Sequence, residues 1–213
     1  MFPLAKAVVN GMAGLVFLVS GVAVAGCRVS DELVPNPRYE VTTSGDNKTL
    51  AVTGGVAQFS FDYSSLYQAD RITINEDATT VWLYGPSQYG KERNAVTISI
   101  FVQKSNGATF LSDLEHQLQR ARGIKDFLLL ERSPVEVAGF QGERIRYSYE
   151  VPISSTAIRQ GFKPLPGITS EVFFSGSSLR WSIRLFYYVT NAEASEGYEK
   201  DLRQILTTLR IEN

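Results

Sequence analysis

The stretch LRWSIRLFYYV, residues 179–189, decides the fold: Leu179, Trp181, Ile183, Leu185, Tyr187 and Val189 occupy every second position. Successive side chains of a strand point to opposite faces, so this spacing predicts a strand with one buried face. Upstream, residues 169–175 form a second strand, and Gly176-Ser177-Ser178 supplies the turn of a closing hairpin. The same period returns in Val96, Ile98, Ile100 and Val102, and again in Ile145, Tyr147, Tyr149, Val151 and Ile153. Residues 56–63, 71–75 and 79–84 read as three further strands, the last closed by Gly85-Pro86. Hairpin-linked strands of this kind predict an antiparallel sheet.

Two segments change to helical spacing. After Thr109, a residue type suited to an N-cap, Leu111, Leu114, Leu118 and Ala121 form one stripe that Gly123 ends. Near the C-terminus Thr190 and Glu193 have capping-box spacing, and Tyr198, Leu202, Ile205, Leu206 and Leu209 share a face. Each stripe needs a sheet face to cover, so the expected class is α+β: an antiparallel sheet flanked by helices as an α/β/α sandwich over residues 56–213.

Residues 28–55 are rich in loop formers, among them Pro35, Pro37, Ser44-Gly45-Asp46-Asn47-Lys48 and Gly54-Gly55. They read as a flexible tether, with the alternative that residues 39–41 or 50–52 add a short strand. Before the tether, Lys6 is the sole charged side chain up to residue 27, and residues 7–25 are almost wholly apolar. This is the layout of a signal peptide. The segment ends in Val24-Ala25-Gly26-Cys27, which resembles the lipobox of bacterial lipoproteins. The resemblance implies a diacylglyceryl group on the Cys27 sulfur and cleavage before Cys27, leaving residues 27–55 as a lipidated tether. It places the domain on the extracytoplasmic face of a cell membrane. An ordinary secretory signal and an uncleaved span are the competing readings, since roughly 20 apolar residues cross a bilayer.

The 21 basic and 22 acidic side chains nearly cancel, which gives no electrostatic footprint for nucleic acid. One cysteine excludes an intramolecular disulfide and a cysteine-rich metal knuckle. The single histidine, His116, lies one step outside the first helical stripe and reads as a solvated residue. Ser87 reads as part of a turn, and Glu76-Asp77 supplies too few oxygens for a cation by itself. No Gly-x-Ser-x-Gly elbow or Gly-rich phosphate loop is present. Neither catalysis, a metal nor a cofactor is therefore expected.

One polar pattern stands out. Arg144 and Arg146 alternate with the apolar positions of one strand, as Arg180 and Arg184 do on another. Were the two strands neighbours, four guanidinium groups would gather into a patch for an anionic ligand, lipid headgroups or an acidic partner. The alternative is that Glu143, Glu150 and Glu171 neutralise them across the strands.

The order of these pieces is similar to that of the PsbP-like and DcrB-like extracytoplasmic domains. The similarity rests on Phe59-Ser60-Phe61-Asp62-Tyr63, the strand 96–102, the helix after Thr109, Val135 to Phe140 leading into residues 143–149, and the aromatic hairpin with its terminal helix. It implies a sheet between helical layers and a small non-enzymatic accessory protein, and it brings no ligand site. The expected function is thus an anchored envelope module that binds another protein; the alternative is a small-ligand or metal-binding module, with a pocket bordered by the arginines or by Tyr147, Tyr149 and Tyr187.

Overall fold

Residues 38–86, 96–152, 163–176, 178–189 and 192–212, together with 159 and 161, are described by the computed structural model, with backbone alone at 192 and 193. They belong to the unit Pro37–Asn213. In chain order the elements are β1 (Tyr39–Ser44), β2 (Asn47–Val52), β3 (Gln58–Ser64), β4 (Gln68–Ile74), β5 (Ala78–Tyr84), β6 (Val96–Lys104), α1 (Phe110–Arg122), β7 (Leu128–Val137), β8 (Phe140–Glu150), β9 (Pro166–Gly176), β10 (Leu179–Tyr188), α2 (Ala192–Thr208) and β11 (Arg210–Glu212). Every strand pair is antiparallel. Seven strands form one sheet in the order β4-β5-β6-β10-β9-β8-β7, and four form another in the order β1-β2-β3-β11.

This arrangement overturns the α/β/α sandwich. One face of the large sheet is covered chiefly by the small sheet rather than by a helical layer. Leu50, Val52, Phe59, Phe61 and Tyr63 of β2 and β3 share one core with Val81, Ile98, Ile100, Val172 and Ile183 of the large sheet. Phe59 meets Trp181 edge to face, with centroids 5.2 Å apart, so the sheets are in direct contact. Helix α2 completes this layer through Leu202, Ile205 and Tyr198, whose ring lies 5.4 Å from that of Tyr187. Its end is fixed to β3 by the Asp62 amide, which donates to Thr208 Oγ1 at 2.9 Å. Inside this layer the Tyr67 hydroxyl donates to Asp201 Oδ2 at 2.9 Å, and burial raises the Asp201 carboxyl above its usual range.

Helix α1 lies on the opposite face of the large sheet, where Leu114, Leu118 and Ala121 pack with Ile145, Tyr147 and Phe173. Thr109 does stand at the N-cap, but its side chain makes no capping bond, and Leu111 is exposed rather than part of the buried stripe. Gly123 ends the helix in a right-handed conformation. The capping box at Thr190 and Glu193 lies outside the described residues and side chains.

The stretch read as tether is also different from Tyr39 onward. Residues 39–44 and 47–52 pair as a hairpin about Gly45, whose φ of +59° suits glycine. Leu50 and Val52 are buried, paired with Phe61 and Phe59 of β3. Folded structure therefore begins well before Gly55. Cys27 and the apolar leader lie outside the described residues.

Candidate functional site

The four arginines do not meet. Strand β9 separates β8 from β10, with Arg144 opposite Val172 and Arg184 opposite Glu171. Val172 and Glu171 are consecutive and so point to opposite faces, which sends Arg144 and Arg146 to the α2 side and Arg180 and Arg184 to the α1 side. On the sequence both pairs seemed to lie behind the buried positions, but β8 buries Ile145 and Tyr147 under α1 whereas β10 buries Trp181 and Ile183 against the small sheet. The expected patch of four is thereby replaced by two separate pairs.

Each pair is closed by carboxylates. On the α2 side Arg144 Nη2 donates to Glu199 Oε2 at 2.7 Å, and its Nε donates to Ser170 Oγ at 3.0 Å. Arg146 Nε stands 3.1 Å from Glu199 Oε1, while its Nη2 donates to the Tyr187 hydroxyl at 3.1 Å. On the α1 side Arg184 grips Glu171 with two bonds of 3.0 Å, and Ser182 Oγ donates to the same carboxylate at 2.5 Å. Arg180 pairs with Asp113 of α1. Glu171 is 1% exposed, so this ion pair is a structural part of the sheet. Glu143 and Glu150, expected to serve the same arginines, instead bind Arg132 and Lys125.

The tyrosines divide in the same way, with Tyr147 on the α1 side and Tyr187 on the α2 side, so they do not border one pocket. Burial raises the hydroxyls of Tyr147, Tyr149 and Tyr187, which keeps them protonated as hydrogen-bonding groups. His116 is exposed, at the rim of a cavity of about 160 Å³ between α1 and the sheet. Asp77 is exposed and pairs with Lys104, and among the described residues no three His, Cys, Asp or Glu side chains come together to hold a metal ion. Ser87 lies outside the described residues. A second cavity, about 440 Å³, opens beside Trp181, Phe140, Leu179 and Ile211.

What the sequence reading missed is β7. It is the outermost strand of the large sheet and starts with three leucines, Leu128, Leu129 and Leu130, exposed by 58%, 38% and 44%. The register shifts between Leu129 and Glu131, a bulge that takes Leu130 out of the ladder. Pro134, which lacks an amide donor, suits an edge strand. Arg132 fastens the middle of β7 to Glu143 of β8 and to Glu115 of α1 at 2.8 Å. The signal available in the sequence was this run of leucines, which has neither helical nor strand period.

No family model matches the chain, and no curated protein matches it in sequence. Among solved structures it is similar to a PsbP of the cyanobacterium Synechocystis, at 8% identity and a TM-score of 0.47 over 80% of this chain and 98% of that one. It is similar also to the Saccharomyces cerevisiae Ran-binding protein Mog1p, at 11% identity and a TM-score of 0.47 over 79% and 96%. A third, from Bacteroides thetaiotaomicron, gives 10% identity and a TM-score of 0.45 over 73% of this chain, which spans 45% of that protein's length.

Proposed function

We propose that this chain is an extracytoplasmic lipoprotein, held on a cell membrane by acyl groups on Cys27, whose domain is a non-enzymatic accessory module that binds an envelope protein through β7. The observation that carries the reading is the exposed leucine run on a strand that pairs, among the described residues, with β8 alone. An unpaired edge offers a row of amides and carbonyls to another strand, and proteins ordinarily blunt such edges with charge. Glu131, Arg132, Pro134 and Glu136 blunt the rest of β7, but its first three residues are leucines, and strand addition with apolar anchors is a common mode of recognition. Arg144, Arg146, Arg180 and Arg184 are paired internally, which leaves them a structural role. For the anchor the support is the sequence Val24-Ala25-Gly26-Cys27. Two acyl chains hold a protein on a bilayer where one gives only reversible binding.

Two experiments test the two halves separately. In the native cell, Cys27→Ala should lose the lipid and appear as precursor or in the soluble fraction. A mature, membrane-bound variant of wild-type mobility would refute the anchor. For the edge, the lipidated protein is cross-linked in its membrane and purified. Leu130→Asp should reduce a stoichiometric partner at least tenfold, a loss of about 1.4 kcal/mol, without moving the melting temperature. A partner captured equally by the variant would show that β7 is not the contact.

A further inference from the structure

Helix α1 covers only part of its face of the large sheet: its apolar side chains meet Ile145, Tyr147 and Phe173 on β8 and β9. Across β5, β6 and β10 the face continues in rows, with Tyr84 beside Thr97 and Phe186, Trp82 beside Ser99 and Arg184, and Thr80 beside Phe101 and Ser182. Trp82, Tyr84, Phe101, Phe186 and Tyr188 are all only half-buried. The rings of Trp82 and Tyr84 are nearly parallel, 13° apart with centroids at 6.3 Å, and Phe186 meets Tyr188 edge to face at 5.2 Å.

We propose that this aromatic face, which α1 leaves uncovered, is a binding surface for a neutral, extended glycan chain running across β5, β6 and β10. The charge on the face selects the ligand. Arg184 is spent on Glu171 and Arg180 on Asp113, so neither is left to attract a phosphate, and the groups between the rings are the uncharged Thr80, Thr97 and Ser99. Nucleic acid would require unpaired cations along its backbone. An acyl chain has no use for the hydroxyls. A pyranose ring satisfies both kinds of group, because its C–H faces lie against aromatic rings while its hydroxyls point outward to donors and acceptors.

Spacing adds a second argument. Neighbouring strands lie about 4.8 Å apart, so the aromatic side chains of β5 and β10 stand about 10 Å apart across β6. That matches the repeat of two sugars in an extended β-linked chain. The cavity beside α1 forms a wall at one end of this floor, where Gln103, His116 and Gln117 offer further hydrogen-bonding groups. This surface is distinct from the leucines of β7, which lie at the far edge of the sheet.

The test uses the full-length chain in a detergent without a sugar headgroup. Of its two tryptophans Trp181 is buried, so a change in emission on binding reports Trp82. A β-1,4-linked N-acetylglucosamine hexamer or cellohexaose should quench and shift that emission at about 1 mM or below, and the coiled α-linked maltohexaose should bind more weakly. Calorimetry should show that Trp82→Ala and Phe186→Ala, each with an unchanged melting temperature, weaken binding about tenfold or more. Tyr188→Ser serves in their place if either unfolds. Absence of binding by both β-linked hexamers at about 1 mM overturns the proposal, as does undiminished binding by folded variants. Loss of a protein partner in those variants without any glycan binding would make this face a protein interface and overturn it equally.

Discussion

Trp181→Ala should lower the free energy of unfolding by about 3–5 kcal/mol, the range for emptying the site of a large buried aromatic. The indole is 2% exposed and joins the two sheets: it stacks on Phe174 of the large sheet at 5.5 Å and 9°, and receives Phe59 of the small sheet edge-on. Its Nε1 has no hydrogen-bond partner among the described residues, so the cost of truncation comes from lost apolar contact and the remaining cavity. Trp181→Phe keeps an aromatic face against Phe174 and removes the unpartnered donor. It should cost less than half as much. Equilibrium urea unfolding of the three proteins decides the matter, and a loss below about 1 kcal/mol for the alanine variant would mean that the core does not run through this contact.

Much of the large sheet was legible because its strands alternate strictly. Val96 to Val102 and Trp181 to Tyr187 each bury every second residue, and period two has no helical equivalent. The small sheet was not legible for the opposite reason. β1 is exposed along its whole length and β2 buries only Leu50 and Val52, so the segment has the composition of a loop and gains its structure from pairing with β3. A pairing partner is tertiary information. Removing the chain up to Gly55 would strip β3 of a neighbour on one side and leave Phe59, Phe61 and Tyr63 without the residues that complete their layer. The helical layer expected on that side was wrong because this small sheet fills most of it.

The candidate site illustrates what alternation cannot tell. Arg146 and Arg184 each sit between buried neighbours, and that fixes which residues share a face within a strand but not which face of the sheet it is. The register through β9 settles it, and β9 reads poorly because it is buried on both faces. Two of the three carboxylates that close the pairs come from helices, Asp113 from α1 and Glu199 from α2, 67 residues from Arg180 and 55 from Arg144, separations that no local pattern reveals. Of the three acidic residues considered from the sequence, only Glu171 holds one of the four arginines.

Arg184→Leu should be among the most damaging surface-accessible changes in the domain. It removes two bonds from a carboxylate that is 1% exposed and leaves Ser182 as its remaining partner. Breaking a buried pair from one side costs about 3–5 kcal/mol, because the charge left behind has lost its solvation and its counterion. Arg184 itself keeps 38% of its side chain in water, which places the expected loss toward the lower end of that range. Adding Glu171→Gln to Arg184→Leu should restore most of the stability, since the amide needs no counterion and still accepts from Ser182. The double-mutant cycle would then show a coupling of about 1–3 kcal/mol by chemical denaturation. An Arg184→Leu protein as stable as the wild type would mean that the pair is open in solution. In that event a guanidinium would be free in the middle of the aromatic face, and an anionic ligand would replace the neutral glycan as the occupant its charge selects.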